Sequence, residues 1–358
     1  FSSATDTVDV TVTAVNDAPT IASLSGDSRA YSEGAGAVVI ESGNAVVADV
    51  DSTNLDTGTL TVSIPGGGDA AEDVLSIRNQ GTGAGQIGVS SNTITYQGVT
   101  IGTFTGGSGG TNLVITFNAS ATPTAVTALV RNITYQNTDT NAPTTGARTV
   151  RFVLTDGDGG TSPSYNTTVT VSAVNDAPVL ADLALSLTVA EDAGAPSGAV
   201  GSLISTFTGG ISDVDSGAVK GIALTGSNQT NGTWYYTRNG GTTWTAVGTV
   251  SNTSALLLAD NASTRLYFAP RANYSGTSTA ALTVRAWDQS SGTAGSKVST
   301  ATNGGTTAFS SATDTVDVTV TAVNDAPTIP SLSGNNRADS EGAGAVVVEG
   351  GKAERAGV

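Results

Sequence analysis

Residues 1–21, FSSATDTVDVTVTAVNDAPTI, return without change at residues 309–329, a period of 308 residues. Few features limit a fold so strongly, because a long duplicated unit must be able to follow itself along the chain. The match runs on imperfectly through Ser-Leu-Ser-Gly, an Arg-Ala pair and SEGAGAVV. A shorter echo, VTVSAVNDAPVL, falls at 169–180, so the signature Asn-Asp-Ala-Pro occurs at Asn16–Pro19, Asn175–Pro178 and Asn324–Pro327. The intervals of 159 and 149 residues each suit one domain, and their inequality makes the long unit a pair of unlike domains. The expected layout is a last strand of a preceding incomplete domain in 1–17, a type A domain in 18–176, a type B domain in 177–325 and the start of another type A domain in 326–358. The pattern is already under way at Phe1, which leads us to expect a piece of something longer. After Gly351 the residues GKAERAGV depart from the GNAVVADV of the first copy, for which we have no physical account.

Each domain reads as β. In TDTVDVTVTAV the valines alternate with Thr and Asp, the period of a half-buried strand, and TVRFVLT (149–155) and LTVRAW (282–287) do the same. Glycine-rich turns at 66–68, 106–110, 157–160 and 239–241 separate such runs. One helical window, Thr122 to Asn132, has Pro123 near its start and Val126, Leu129 and Val130 on one face. It suits a short crossover between strands. The longest apolar run, Ala255 to Ala259, is a core strand, far short of the roughly 20 residues that cross a bilayer. The predicted class is all-β: Greek-key sandwiches of about seven strands following one another.

Composition narrows the chemistry. Thirty acidic residues against fourteen Lys and Arg give a net charge of −16, which argues against a nucleic-acid partner. His, Cys and Met are absent. That removes imidazole bases, thiol nucleophiles, zinc–thiolate sites and disulfides, and leaves oxygen donors, which suit hard cations such as Ca2+.

The acids recur in step with the repeat. The first domain carries Glu33, then Asp49-Val-Asp51, then Asp156-Gly-Asp158, then Asn175-Asp176. The second carries Glu191-Asp192, then Asp213-Val-Asp215, then Asp288, then Asn324-Asp325. Strand directions in a Greek key predict that Asn16-Asp17 collects Asp49, Asp51, Asp156 and Asp158. They likewise predict that Asn175-Asp176 collects Glu33, Asp213, Asp215 and Asp288. At about 4 Å and an effective dielectric near 20, each close pair of carboxylates costs on the order of 4 kcal/mol. A calcium ion relieves that cost by accepting about six to eight oxygens. A lone Asp-Gly-Asp is also an ordinary turn, and Asp158 fits either reading.

The order Glu, Asp-x-Asp, Asp-Gly-Asp-Gly-Gly and a closing Val-Asn-Asp-Ala-Pro resembles the bacterial cadherin-like tandem repeats of large surface proteins and RTX adhesins, over essentially the whole chain. TGTLTVSI (57–64), AAEDVLSIRNQGTGAGQIGVS (70–90) and TGARTVRFVLTDGDGG (145–160) look typical of one repeat type, and NGTWYYTRNGGTTW (231–244) and LYFAPRANYSGT (266–277) of its partner. Animal cadherin joints read Asp-x-Asn-Asp-Asn-x-Pro, whereas Ala14, Val15 and Ala18 stand around Asn16-Asp17 here. The resemblance therefore implies one or two calcium ions per joint, a bacterial cell-surface location and export by type I secretion.

Thr237-x-Asn239-x-Gly241-x-Thr243-Trp244 approximates an Asp-box hairpin, whose role is structural. Core packing is the favoured reading of Trp234 and Trp244, with a glycan site the alternative. Eight Asn-x-Ser/Thr triplets are no more than a Thr-rich chain supplies by chance, and the glycine runs lack a P-loop lysine. The expected function is a non-enzymatic, calcium-stiffened spacer, as in an adhesin shaft or surface filament. The expected partners are neighbouring repeats, with identical chains or a surface glycan or protein receptor as further candidates; no membrane insertion is expected. The alternatives are a carbohydrate-binding type B domain and a self-assembling surface-layer or filament subunit.

Overall fold

The computed structural model describes residues 3, 5–13 and 15–327. Of the expected start of another type A domain, residues 328–358 lie outside them. Two compact units emerge, one of residues 1–176 with 214–216, the other of the remaining chain from Ala177.

In the first unit an eight-stranded sheet faces a three-stranded one. The larger sheet runs in the order Ser28–Ser32, Tyr165–Ser172, Gly146–Leu154, Thr59–Gly66, Leu113–Phe117, Val99–Thr105, Thr93–Tyr96, Ile87–Ser90. The smaller contains Val38–Val39, Ile133–Asn137 and Asp73–Ile77. Alternation assigns the inward residues: Leu60, Val62, Leu113 and Ile115 from one sheet meet Leu75, Ile77, Ile133 and Tyr135 from the other in one core. Tyr31 closes it edge-on to Tyr135, ring centroids 5.2 Å apart. The predicted helix forms over Pro123–Val130, with Thr122 accepting the Ala125 N–H at 3.3 Å as N-cap and Val126, Leu129 and Val130 buried. It is the crossover between Leu113–Phe117 and Ile133–Asn137. The expectation of seven strands is too low, because residues 73–105 add strands whose Ile87, Ile94 and Ile101 join the same core.

The second unit pairs a six-stranded sheet with a four-stranded one. The first has the order Leu185–Ala190, Asp314–Thr321, Gly276–Trp287, Gly221–Ser227, Ala255–Ala259, Lys297–Val298. The second is Ser202–Leu203, Arg265–Pro270, Gly232–Thr237, Thr245–Ala246. Trp234 and Phe268, centroids 4.9 Å apart, lie between them with Val284, Val316 and Val318. The apolar run Ala255–Ala259 is buried on both faces. Leu256 and Leu258 enter the main core, while Ala255 and Leu257 join Trp287 and Phe309 in a satellite core.

Both units share a device that alternation alone does not predict. The leading chain splits: Thr20–Ala22 pairs antiparallel with Val46–Ala48, and Ser28–Ser32 then crosses to lie parallel to the last strand, Tyr165–Ser172. In the second unit Val179–Leu180 pairs with Ile211–Ser212, and Leu185–Ala190 lies parallel to Asp314–Thr321.

The opening segment departs from expectation. Residues 5–13 form no strand, and Val8, Val10 and Val12 are 81–88% exposed. The period-2 pattern is intact, but a strand needs neighbours to fill its hydrogen bonds and cover its apolar face, and none of the described residues pairs with it.

Candidate functional site

The first group of predicted residues gathers around Asn16 and Asp17, as the strand directions require. The Asn16 side-chain amide donates to Asp156 Oδ2 at 2.9 Å, and the Asp17 backbone N–H donates to Asp51 Oδ2 at 2.9 Å. Asp49 Oδ1 receives the N–H groups of Asp51 and Ser52 at 3.3 and 3.1 Å, which curls the Asp-Val-Asp segment into a compact turn. Asp156 is fully buried and well supplied with donors, since its Oδ1 also takes the N–H of Asp158 at 2.8 Å and of Gly160 at 2.9 Å. Burial opposes its ionisation, yet the Asn16 amide and the turn N–H groups hold it below the usual carboxylate range. Glycine at 160 is dictated by this closure: a Cβ there would fall 2.1 Å from Asp156 Oδ2 and 2.9 Å from Asn16 Nδ2. Asp158 is exposed and joins the group only through its backbone. That is the turn geometry its sequence allowed.

The second group gathers around Asn175 and Asp176. The Asp176 N–H donates to Asp215 Oδ2 at 2.8 Å, the same bond that Asp17 makes to Asp51. Glu33 Oε2 accepts the Val174 N–H at 2.8 Å, fixing the residue just before Asn175. The Asn175 amide turns to the Asp176 carbonyl at 3.1 Å. Burial, followed by the charges of Asp176, Asp215 and Asp139, pushes the Glu33 carboxyl up, against the lowering effect of the Val174 N–H. Burial and then Asp215 push Asp176 up, and burial and then Asp51 push Asp49 up.

The second unit repeats the Glu33 device. Glu191 Oε2 accepts the Val323 N–H at 3.2 Å, just before Asn324, whose amide turns to the Asp325 carbonyl at 3.4 Å. Asp288 caps its own turn by accepting the Ser290 N–H and hydroxyl, both at 2.7 Å. Asp213 follows the strand Ile211–Ser212 and belongs to this unit.

Among the described residues, no group of three or more acidic side chains is arranged so that it could hold a metal ion. The donor chemistry nonetheless fits a hard cation. Glu33 Oε1, Asp49 Oδ2 and Asp176 Oδ2 are buried and receive no hydrogen bond. A carboxylate oxygen left without a donor in the interior is costly, and a cation is the simplest thing that satisfies it.

Two features were not foreseen. Asp139 contributes to the field at Glu33, and a cluster at Asp73 is wholly protein-satisfied. Arg148 and Asp73 form a buried ion pair at 3.3 Å, and the Tyr135 hydroxyl donates to Asp73 Oδ1 at 2.5 Å. Burial, then Asp73, pushes the Tyr135 phenol far up. This cluster borders a cavity of about 210 Å³. The acid pair Glu72-Asp73 and the lone inward Arg148 were the only sequence signals for it.

In the hairpin of the second unit, Thr237 Oγ1 and Asn239 Oδ1 accept the N–H groups of Gly241 and Thr243 at 3.1 and 3.0 Å, which makes it a closed structural turn. Trp234 is fully buried, which rules it out as a glycan contact.

No family model and no curated protein matches the chain. Solved structures give distant likenesses. Drosophila N-cadherin EC1-4 matches at 12% identity over 86% of this chain and 50% of that one, with a TM-score of 0.34. The adhesive subunit CfaE of the CFA/I fimbria of enterotoxigenic Escherichia coli matches at 10% identity over 84% and 99%, with a TM-score of 0.32. The calcium binding domain CBD12 of CALX1.1 matches at 11% identity over 75% and 78%, with a TM-score of 0.20. The chain thus spans about half the length of the N-cadherin structure, and none of these scores assigns it to a family.

Proposed function

We propose that the chain is a non-enzymatic structural segment of a long extracellular protein, an adhesin shaft or surface filament, stiffened by calcium at its Asn-Asp-Ala-Pro segments. The observation that supports it most is the set of buried, donor-free oxygens on Glu33, Asp49 and Asp176, at the places where the repeat puts acids. Glu33, Asp176 and Asp215 would hold an ion in one group, and Asp49, Asp51 and Asp17 in the other. The ion supplies countercharge and fills the open coordination; the chain supplies turns already closed by the Asp17–Asp51 and Asp176–Asp215 bonds. Domains of types A and B alternating through a 308-residue unit suit a spacer that lengthens by duplication.

Small-angle scattering with and without chelator tests this. The expected result is a longer, stiffer particle in millimolar calcium, the affinity range of extracellular modules. Superimposable profiles would overturn the reading. Glu33→Gln adds a signed check. A carboxyl raised in the folded state stabilises it while protonated, and that contribution is lost as pH climbs through the raised value. At neutral pH in chelator the substitution should therefore raise the unfolding midpoint of the first unit. In calcium it should lower it, because a ligand is gone.

A further inference from the structure

The outer face of the four-stranded sheet in the second unit carries aromatic rings that neither core uses. Tyr235 and Tyr267 stand directly opposite each other on antiparallel neighbours, so their Cβ atoms are about 5 Å apart. Both are half-buried, while Trp234 and Phe268 beside them turn inward. Trp244 joins the pair, its ring centroid 6.0 Å from that of Tyr267 at an interplanar angle of 61°. Two of the rings are pinned by one loop. The Trp244 Nε1–H donates to the Gly198 carbonyl at 3.1 Å, and the Tyr267 hydroxyl is within 3.2 and 3.3 Å of the Ala193 and Gly194 carbonyls. Fixing partly wet aromatic rings in this way is preorganisation, since their ordering cost is met before any ligand arrives.

A cation completes the face. Arg265 lies two residues before Tyr267 on the same strand, so its side chain emerges on the same side. It donates Nη1 to the Gly201 carbonyl at 3.0 Å, and its Nε is buried with no acceptor. Arg265 forms no ion pair with a carboxylate among the described residues. Asp192, next to Ala193 in the loop that pins the rings, spends Oδ1 on the Asn273 N–H at 3.1 Å. A guanidinium without a carboxylate, in a chain of net charge −16, is a recognition element for one that comes from outside.

We propose that Tyr235, Trp244, Tyr267 and Arg265 bind a carboxylate-bearing sugar, a hexuronate unit of an acidic polysaccharide. The apolar C–H face of a pyranose lies on the rings, its carboxylate meets the guanidinium, and a ring hydroxyl meets the Tyr235 hydroxyl. A neutral sugar leaves the cation unmet, and an acidic peptide offers no flat apolar ring face. The net negative charge opposes a polyanion at long range, but it is screened beyond about 8 Å at physiological salt.

The test is calorimetric titration of the full chain, in calcium, with trigalacturonate, its uncharged methyl ester and a short acidic peptide. The expected result is saturable binding of trigalacturonate and at least about tenfold weaker binding of the other two. Tyr235→Ala, which breaks no internal hydrogen bond, and Arg265→Gln should each weaken binding at least about tenfold, with an unchanged circular dichroism spectrum. No saturable binding, equal binding of the ester or the peptide, or binding untouched by Tyr235→Ala would each overturn the proposal. Calcium is present in every arm, so the outcome is separate from that of the scattering experiment.

Discussion

Residues 6–13 and 314–321 share the sequence DTVDVTVT and have opposite structural fates. The second copy lies between Leu185–Ala190 and Gly276–Trp287, with Val316 and Val318 fully buried and Val320 nearly so. The first is strandless, and its three valines face water. At about 1.5–3 kcal/mol per buried valine, side-chain burial alone separates the two states by several kcal/mol. Propensity is identical in the two copies, so the neighbours decide. A strand here is a property of a slot with two edges. The second unit has one such slot, and the copy tethered immediately beside it fills it at far higher effective concentration.

The sharpest way to break this comparison is to place a charge in each copy. Val318→Asp should destabilise the second unit by at least about 3 kcal/mol, because an unpaired carboxylate enters its core. Val10→Asp should change stability by less than about 0.5 kcal/mol. Urea unfolding followed by far-ultraviolet circular dichroism reads both, because it reports the strands of both units, whereas Trp234, Trp244 and Trp287 all belong to the second unit and would report that unit alone. Equal effects would mean that residues 6–13 are packed in solution.

Polar residues sharpen it at smaller scale. Asp314 Oδ2 accepts the Leu183 N–H at 3.1 Å, and Asp317 Oδ1 accepts the Ala280 N–H at 2.8 Å, where Ala280 is held at φ 47° in a bulge. Asp314→Ala and Asp317→Ala should each cost about 1–3 kcal/mol, whereas Asp6→Ala and Asp9→Ala should be silent in the same urea assay. Smallest of all is Thr319→Ala, which removes a 3.1 Å hydroxyl contact with Thr277 and should cost a few tenths of a kcal/mol against nothing for Thr11→Ala. Thermal unfolding of the paired variants resolves that difference, and a silent Thr319→Ala would assign the contact no net stability.

What could be read in advance follows the same division. Local pattern and strand direction sufficed where one chain run decides the outcome. The helix after Thr122, the inward set of Gly146–Leu154, and the meeting of Asn16 with Asp156 and of Asp17 with Asp51 were all legible. Features that depend on a distant partner were not. Nothing in Ser28–Ser32 announces a parallel neighbour 140 residues later, and nothing in Asp139 announces its effect on Glu33. Trp234 and Tyr235 illustrate both cases. Alternation along Gly232–Thr237 puts them on opposite faces, but only the register with Arg265–Pro270 shows that the outward tyrosine has Tyr267 beside it.

The parallel arrangement of the first and last strands has a mechanical consequence. Ser28–Ser32 shares five register pairs with Tyr165–Ser172, and Leu185–Ala190 shares six with Asp314–Thr321. Tension applied through the two ends of either sandwich slides one strand lengthwise along the other, so the whole row of hydrogen bonds must fail together rather than unzip singly.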